Sequence, residues 1–307
     1  MTILLTGAAG QLGQELLPQL SQLGDVFAVD RTSLPGVNNL HVQDLGDLNQ
    51  VEILMNRVRP DVIVNAAAYT AVDLAEENQE LAFRVNQGLP ERLAHWCSLN
   101  NRLLFHYSTD YVFSGKADRP YVESAPTGPL AVYGESKLAG EQSIARSDCK
   151  HVILRTSWVY SSHGNNFLLT MLKLAQTRPS LSIVNDQVGR PTWARNLAAV
   201  TGKLMGQLVS GSIEGRPSGI YHYCDRDVVS WYEFAKEIFR VAIDARLLEK
   251  APQTIPVPSA EFPQKAERPL YSVLETTRIE NECGVSPAGL RQSLASCIEE
   301  INKNDGS

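Results

Sequence analysis

The sequence predicts an α/β fold: a Rossmann-like, doubly wound parallel sheet carrying a smaller C-terminal α/β lobe. Three observations predict it. The first half of the chain alternates short apolar runs with helical patterns, a glycine-rich turn follows the first apolar run, and the texture changes after about Trp158, where Gly, Pro and aromatic residues become more frequent and loops lengthen. Strands spaced by helices build a parallel sheet, and right-handed crossovers put helices on both of its faces.

Residues 3–5 read as a buried strand and residues 11–20, after the glycines, as the helix that follows it. Residues 26–29 form a second strand, 51–57 a helix and 62–65 a third buried strand. Residues 76–100 read as one or two helices, 103–107 as the next strand, 133–146 as a helix and 152–155 as a further strand. Beyond these, long loops are expected, such as 251–269, and residues 302–307 are expected to fray. The division that follows places residues 1–157 with parts of 190–250 in the larger lobe, and residues 158–189 and 251–307 mainly in the smaller one.

With 307 residues the chain is long enough for a substantial core, and its net charge of -6 comes without a basic block. Nucleic-acid surfaces want clustered Lys and Arg, so that class is disfavoured, whereas a small anionic ligand is compatible with a locally positive pocket. The five cysteines are odd in number and none forms a CxxC pair, which points to packed thiols rather than a disulfide framework or a metal site. His106 and His163 have no metal-like spacing either. No run of 18 apolar residues exists and the start lacks the pattern of a secretory signal, so the expected location is cytoplasmic, with no membrane partner.

Gly7, Gly10 and Gly13 lie directly after a strand and at the start of a helix. In that setting the first glycine allows a tight turn, the second a close approach of backbone to a pyrophosphate, and the third close helix–sheet packing; the helix N-terminus offers N–H groups to phosphate oxygens. Taken alone, such a triplet is also an ordinary tight turn. Asp30 closes the second strand, where an acid accepts hydrogen bonds from the ribose of NAD, while Arg31 beside it suits the extra phosphate of NADP. The two point in opposite directions, so both NADPH and NADH are expected to bind. Asp44 and Leu45 are candidates to bound the adenine, with a plain turn as the rival reading.

Tyr133 and Lys137 form YxxxK, which places both on one helix face. A lysine ammonium beside a phenol lowers the phenol pKa and assists proton transfer to a carbonyl oxygen, and Thr109 at a strand end offers a second hydroxyl. YxxxK alone is common by chance. The order of the parts changes its weight: the glycine turn, then Asn65 and Ala66 to Ala68 after a strand, then Ser108 and Thr109, then Tyr133 and Lys137. Each lies at the carboxyl end of a strand or on the next helix, where open sheets place ligands.

The segments GAAGQLG (7–13), NAAAYTAVDLAE (65–76), YSTDYVFSG (107–115) and YGESKLAGE (133–141) resemble the extended short-chain dehydrogenase/reductases. LRTSWVYSSHGNNF (154–167), DQVGRPT (186–192), SWYEFA (230–235) and ERPLYSVLET (267–276) extend the resemblance over most of the chain, to the dTDP-4-dehydrorhamnose reductase family. The resemblance implies Thr109, Tyr133 and Lys137 as catalytic residues and a dTDP-linked 6-deoxy-4-ketohexose as substrate. It implies that Gly7, Gly10, Gln11, Leu12 and Gly13 line the cofactor diphosphate, and that Ala66, Ala67, Ala68 and Tyr69 pass beside the cofactor. Val72, Asp73, Thr109, Asp110, Tyr111, Trp158, Asn166 and Arg268 are implied around the substrate, as is the approach of the 187–192 segment to the nucleotide. Each has a plainer reading: Trp158 as core, Asp73 and Glu76 as solvated charges, Arg268 as a surface cation, Asn86 as a tie between a helix and a loop.

Two departures stand out. Some members of the family hold a divalent metal such as Mg2+ between subunits with acidic residues. Glu15 matches one of these, but Trp193 to Asn196 supply no acid pair after the Pro-Thr, which weighs against Mg2+ and favours a monomer or a dimer without a metal bridge. Leu270 and Tyr271 replace a more polar pair. The alternatives are another epimerase or reductase of sugar nucleotides, or a non-catalytic nucleotide-binding subunit like those that regulate methionine adenosyltransferase. The sugar-nucleotide dehydratases carry an acid pair after the threonine, and here Asp110 is followed by Tyr111.

Overall fold

The structure, a computed structural model, describes residues 1–34, 37, 40–211 and 219–305. The first lobe begins with β1 (Thr2–Thr6), α1 (Gln11–Leu20), β2 (Asp25–Asp30), β3 (Leu40–Val42), α2 (Leu48–Val58) and β4 (Val62–Asn65). Next come the short α3 (Val72–Ala75), then α4 (Gln79–Phe83), a π-helical turn (Arg84–Gly88) and α5 (Leu89–Asn100) in unbroken succession. β5 (Leu103–Thr109), α6 (Val132–Arg146) and β6 (Lys150–Thr156) complete this stretch. After it lie β7 (Val159–Tyr160), α7 (Phe167–Thr177), β8 (Ser180–Val184), β9 (Val188–Gly189), β10 (Thr192–Trp193) and α8 (Ala194–Ser210). The chain ends with β11 (Gly219–His222), β12 (Val229–Ser230), α9 (Trp231–Asp244), β13 (Gln253–Val257), α10 (Thr277–Cys283) and α11 (Leu290–Asp305).

Seven strands form one sheet in the order β11-β6-β5-β4-β1-β2-β3. Every pairing in it is parallel. Alternation along each strand separates two cores. Ile3, Leu5, Val62, Val64, Phe105, Tyr107, Val152 and Leu154 face one side, where Leu16 and Leu20 of α1 and Leu197, Leu204 and Met205 of α8 cover them. Leu4, Ile63, Leu104 and Ile153 face the other, under α2, α5 and α6. Burial on both faces is why these strands read as continuous apolar runs rather than as alternating ones. The strand order reverses between β1 and β4, and the crevice beyond their carboxyl ends is where such sheets take ligands.

Helix ends follow local chemistry. Asp47 accepts from the backbone N–H groups of Asn49 and Gln50, so α2 starts at Leu48, three residues before the apolar periodicity announces it. The expected 76–100 helix is interrupted by the π turn, and its Asn86 is buried. Asn86 Oδ1 accepts from the backbone N–H of Tyr69 at 2.8 Å, while Nδ2 donates to the Tyr69 carbonyl at 3.0 Å and to Ser136 Oγ at 3.0 Å. The tie between helix and loop therefore exists, and the loop is the one that carries Ala66 to Tyr69.

A second core joins α7, α9, α11 and β8 through Leu168, Met171, Ile183, Phe234, Ile238, Phe239, Leu294 and Ile298. Within residues 251–307, α10 turns back to the first lobe, where Ile279 and Cys283 pack beneath the sheet. The loop expected over 251–269 contains β13, which pairs in parallel with β8. Its alternation is short and mostly exposed, so no periodicity marked it. At the C-terminus α11 continues to Asp305, so the expected fraying from residue 302 is not observed; residues 306 and 307 lie outside the described residues. All five cysteines are free and buried. Among the described residues, no helix is long and apolar enough to cross a membrane.

Candidate active site

The glycine turn closes the carboxyl end of β1 as its spacing demands. Gly7 has φ of +70°, and a Cβ there would lie 2.5 Å from the backbone nitrogen of Ala67. A Cβ at Gly13 would lie 2.1 Å from the Gly7 carbonyl oxygen, so only glycine lets α1 sit this close to the turn. Gly10 is the N-cap of α1 and no side chain caps it. The first N–H groups of a helix have no intrahelical partner, and they point out of this bare end. Ala66, Ala67, Ala68 and Tyr69 leave β4 half-buried beside it. A bare helix end above a floor of small side chains fits a dinucleotide diphosphate.

Asp30, at the end of β2, accepts from the backbone N–H of Ala9 at 2.9 Å through Oδ2 and from that of Thr32 at 3.2 Å through Oδ1. Its carboxylate thus braces the glycine turn, with Arg31 exposed next to it. Asp44 accepts from the backbone N–H of Gly46 at 2.8 Å, and Leu45 is buried in the core with Val29 and Val51. Asp44 thus holds a turn, and Leu45 anchors it to the core. Gln11 and Leu12 open α1 half-buried; Gln11 Nε2 donates to the Val159 carbonyl at 3.3 Å and so ties the turn to the residue after Trp158.

Thr109 ends β5 and starts a short 3-10 turn by accepting from the backbone N–H of Tyr111 at 3.2 Å. Its hydroxyl donates to Asp110 Oδ1 at 3.0 Å. Asp110 Oδ2 has no hydrogen-bond partner although the residue is 2% exposed. Burial raises the Asp110 carboxyl to about 7, against the opposing effect of hydrogen bonds from Ser272 and Thr109. Tyr133, in the first turn of α6, meets the Tyr111 ring edge-on at 5.6 Å. Burial pushes its phenol up to about 12, with the Thr109 hydroxyl pulling down and the Asp110 carboxylate adding to the rise.

Lys137 lies one turn further along α6, on the same face, and is 3% exposed. The expectation that its ammonium lowers the Tyr133 phenol is not met. Its Nζ donates to the Tyr107 carbonyl at 2.5 Å and lies 3.4 Å from His106 Nε2, so the charge is directed at the sheet backbone. Burial brings the ammonium itself down to about 8, with Glu141 opposing. Behind it, His106 Nδ1 lies 3.0 Å from Asn65 Nδ2, and Asn65 Oδ1 accepts from the Thr6 hydroxyl at 2.6 Å. A buried polar row thus crosses β5, β4 and β1 under the site. His106 is held neutral, its pKa driven well down by burial and by the Lys137 charge. The role of His106 escaped sequence reasoning because a strand histidine reads as core.

Around this centre the substrate candidates divide into two groups. Val72 and Asp73 open α3. Asp73 accepts from Arg268 Nη2 at 2.7 Å and from the backbone N–H groups of Lys265 and Ala266, both at 3.1 Å. Desolvation raises the Asp73 carboxyl, but these donors outweigh it and the net shift is downward. Arg268 also donates to Gln264 Oε1 at 2.5 Å. The loop bearing it rests on Gly115, where a Cβ would lie 2.6 Å from Pro269 Cα. Glu76 is not a solvated charge: it accepts from the backbone N–H of Val132 at 2.9 Å and fixes the start of α6.

Trp158 leaves the sheet two residues past Thr156, the register partner of Thr109 on the adjacent strand. Its φ of +48° lies in the left-handed region, which costs a non-glycine residue about 1 kcal/mol. The half-buried indole stacks on Trp231, with ring centroids 3.5 Å apart and planes inclined by 6°. Asn166 is the N-cap of α7: its Oδ1 accepts from the backbone N–H of Leu169, and its Nδ2 donates to the Ser161 and His163 carbonyls. Those bonds make it a structural cap within the segment expected near the nucleotide.

The metal site that some members of the family build is tested at Glu15, which is 3% exposed. Arg195, the second residue of α8, donates through Nε to Glu15 Oε2 at 2.8 Å and through Nη1 to Glu300 of α11. A guanidinium thus sits between the two carboxylates. Among the described residues, no group of three His, Cys, Asp or Glu side chains is arranged to hold a metal ion. The residues at this place do not fit Mg2+.

A doubly wound parallel sheet with a glycine turn after β1, a hydroxyl at the end of β5 and a Tyr and Lys one turn apart on the next helix defines the extended short-chain dehydrogenase/reductase class. Comparison with known proteins narrows it. The family model described as the RmlD substrate binding domain matches residues 1–303, and the chain belongs to that family. A dTDP-4-dehydrorhamnose reductase from Aggregatibacter actinomycetemcomitans is 38% identical over 294 residues, covering 95% of this chain and 96% of that relative. The solved structure of a dTDP-4-dehydrorhamnose reductase from Clostridium acetobutylicum superposes with a TM-score of 0.87 at 35% identity, covering 98% of this chain and 100% of that one. One from Bacillus anthracis, solved in complex with NADP, superposes with a TM-score of 0.86 at 33% identity, covering 97% and 99%.

Proposed function

We propose that this chain catalyses the NAD(P)H-dependent reduction of the C4 keto group of dTDP-4-dehydro-6-deoxy-L-mannose (dTDP-4-keto-L-rhamnose) to dTDP-L-rhamnose. The observation that carries this reading is the half-buried Tyr133 phenol, held protonated beside the Thr109 hydroxyl at the carboxyl edge of the sheet. The family membership and relatives at 38% identity support it.

The first lobe, residues 1–157 with the returning parts of 190–250, would hold the cofactor. Gly10, Gln11 and Leu12 would hold its diphosphate at the N-terminus of α1, Asp30 and Arg31 its ribose, and Ala66 to Tyr69 would flank its nicotinamide. When bound, it supplies the hydride that ends on C4 of the sugar. The substrate lies between this lobe and residues 158–189 and 251–307, bounded by Val72, Tyr111, Trp158 and Arg268. Thr109 and Tyr133 donate hydrogen bonds to the C4 oxygen and polarise the carbonyl without a metal. As that oxygen gains negative charge, Tyr133 gives it the phenolic proton and becomes a phenolate. Lys137, one turn away on the same helix face, would hold the nicotinamide ribose through its ammonium. The products are a secondary alcohol and a tyrosine that regains its proton from solvent. Both NADPH and NADH serve, and no metal bridges two copies of the chain.

The test follows loss of reduced-cofactor absorbance with dTDP-6-deoxy-4-ketohexose supplied together with a 3,5-epimerase, with NADH and NADPH in parallel. Turnover that yields dTDP-rhamnose and disappears in Tyr133→Phe is the expected result. Tight cofactor binding without turnover sinks the reading and shifts weight to another sugar nucleotide or to a regulatory subunit.

A further inference from the structure

Trp231 belongs to α9 of the second lobe, and no step of the proposed reaction uses it. Three features connect it to the site. Its ring lies flat on Trp158, at 3.5 Å between centroids and 6° between planes. Its indole N–H donates to Gln187 Oε1 at 3.2 Å, and Gln187, 3% exposed, donates in turn to Ser259 Oγ at 3.0 Å. Phe167 packs against it from α7, with centroids 4.6 Å apart. Trp231 is therefore fixed by α7 and by the Gln187–Ser259 relay, and hands that position to the indole that follows β6.

Trp158 needs such a partner. Its backbone is left-handed, and its carbonyl is engaged by the backbone N–H of Thr192 at 3.2 Å. Its indole is pressed against Gly189, where a Cβ would lie 2.6 Å from Cε2. The ring thus has Trp231 stacked on it and a bare backbone pressed against it, while the residue is only half-buried, two positions past the register partner of Thr109. An immobilised indole face suits the C–H face and methyl group of a 6-deoxyhexose, because apolar surface is buried there at no further cost in side-chain freedom.

We propose that Trp231 is a substrate-positioning residue: it locks the Trp158 indole as the wall against which the deoxysugar of the nucleotide-linked substrate packs, and so sets affinity for the sugar without touching cofactor or reacting atoms. This rests on the functional reading above. Gly189 serves the same end from the other contact, by leaving room for the ring.

The test compares Trp231→Ala, Trp231→Phe and Gly189→Ala with wild type in the coupled reductase assay, with NADPH affinity and the circular-dichroism exciton signal of the indole pair measured alongside. Trp231→Ala should raise KM for the sugar nucleotide about tenfold, with kcat within about threefold, NADPH affinity unchanged and the exciton signal lost. Trp231→Phe should restore most of the KM. Gly189→Ala, which displaces Trp158 with Trp231 intact, should reproduce the KM rise and provides the answer if Trp231→Ala does not fold. An unchanged KM in either Trp231→Ala or Gly189→Ala overturns the proposal, as does a loss of NADPH affinity in parallel with substrate affinity. A wild-type chain that fails to reduce this substrate breaks the functional reading instead, so the two failures are told apart.

Discussion

Around Tyr133, support comes mostly from the sheet and from the helices that cover it: Thr109 from β5, Lys137 from the same turn face of α6, Asn86 from the π turn through Ser136. Around Trp158 it comes from loops and from α9, far along the chain, through a ring stack and a relay of amide and hydroxyl groups. The first region is set by backbone geometry, the second by side chains brought together from distant parts of the chain. Chemistry on one side and recognition on the other thus have separate supports, and substitutions should separate them.

The largest effect is expected at the proton donor. Tyr133→Phe should lower kcat about a thousandfold while NADPH affinity, followed by fluorescence, stays within about twofold. Equal losses in both would show that Tyr133 holds the cofactor instead. Next comes Gly13→Val. Its Cβ meets the Gly7 carbonyl oxygen at 2.1 Å, a backbone atom with nowhere to go, so denaturant titration should show a loss of about 3 kcal/mol and NADPH binding should fail. Arg195→Ala leaves Glu15 buried without its cation, for an expected cost of about 2 kcal/mol, read as a lower denaturation midpoint at unchanged KM. EDTA should shift neither the wild type nor its sedimentation.

The smallest effect is one of pH. Lys137 has a folded pKa of about 8 against an ordinary value of 10.5. Between those values the unfolded chain binds more protons than the folded one, so the contribution of Lys137 to stability rises with pH there, while kcat/KM falls above about pH 8 as the ammonium that would hold the nicotinamide ribose loses its proton. Opposite slopes for stability and activity are expected, and Lys137→Met should flatten both. Parallel slopes would assign the titration to another group.

The same contrast explains what was legible in the sequence. The strands and helices of the first lobe follow from period and punctuation, because α1 and β4 bury residues that repeat at helical or strand spacing. Gly7 and Gly13 follow from the same local logic. The two-residue strands β7, β9, β10 and β12 do not, since their pairing depends on partners brought from a distance. The sequence implies Arg268 and Asp73 around the substrate, each with a plainer surface reading, but only the fold pairs them with each other. The direction of the Lys137 ammonium does not follow from spacing, which fixes the face a side chain shares but not the acceptor that captures it. Trp231 lay inside a recognised segment, yet nothing local distinguishes an aromatic that fills a core from one that also supports a neighbouring ring.

The wide turn at Arg84–Gly88 makes one place in this chain sensitive to length rather than to composition. A π turn holds one residue more than an α turn. Deleting a single residue there would restore regular winding and rotate everything before it by about 100° relative to α5. Asn86 would swing away from Tyr69 and Ser136, and the loop of Ala66 to Tyr69 would come loose with every side chain of the candidate site still encoded. A deletion variant that folds, keeps its helix content and loses cofactor affinity is the signature of that arrangement: here the count of residues, and not their identity, is what the site reads.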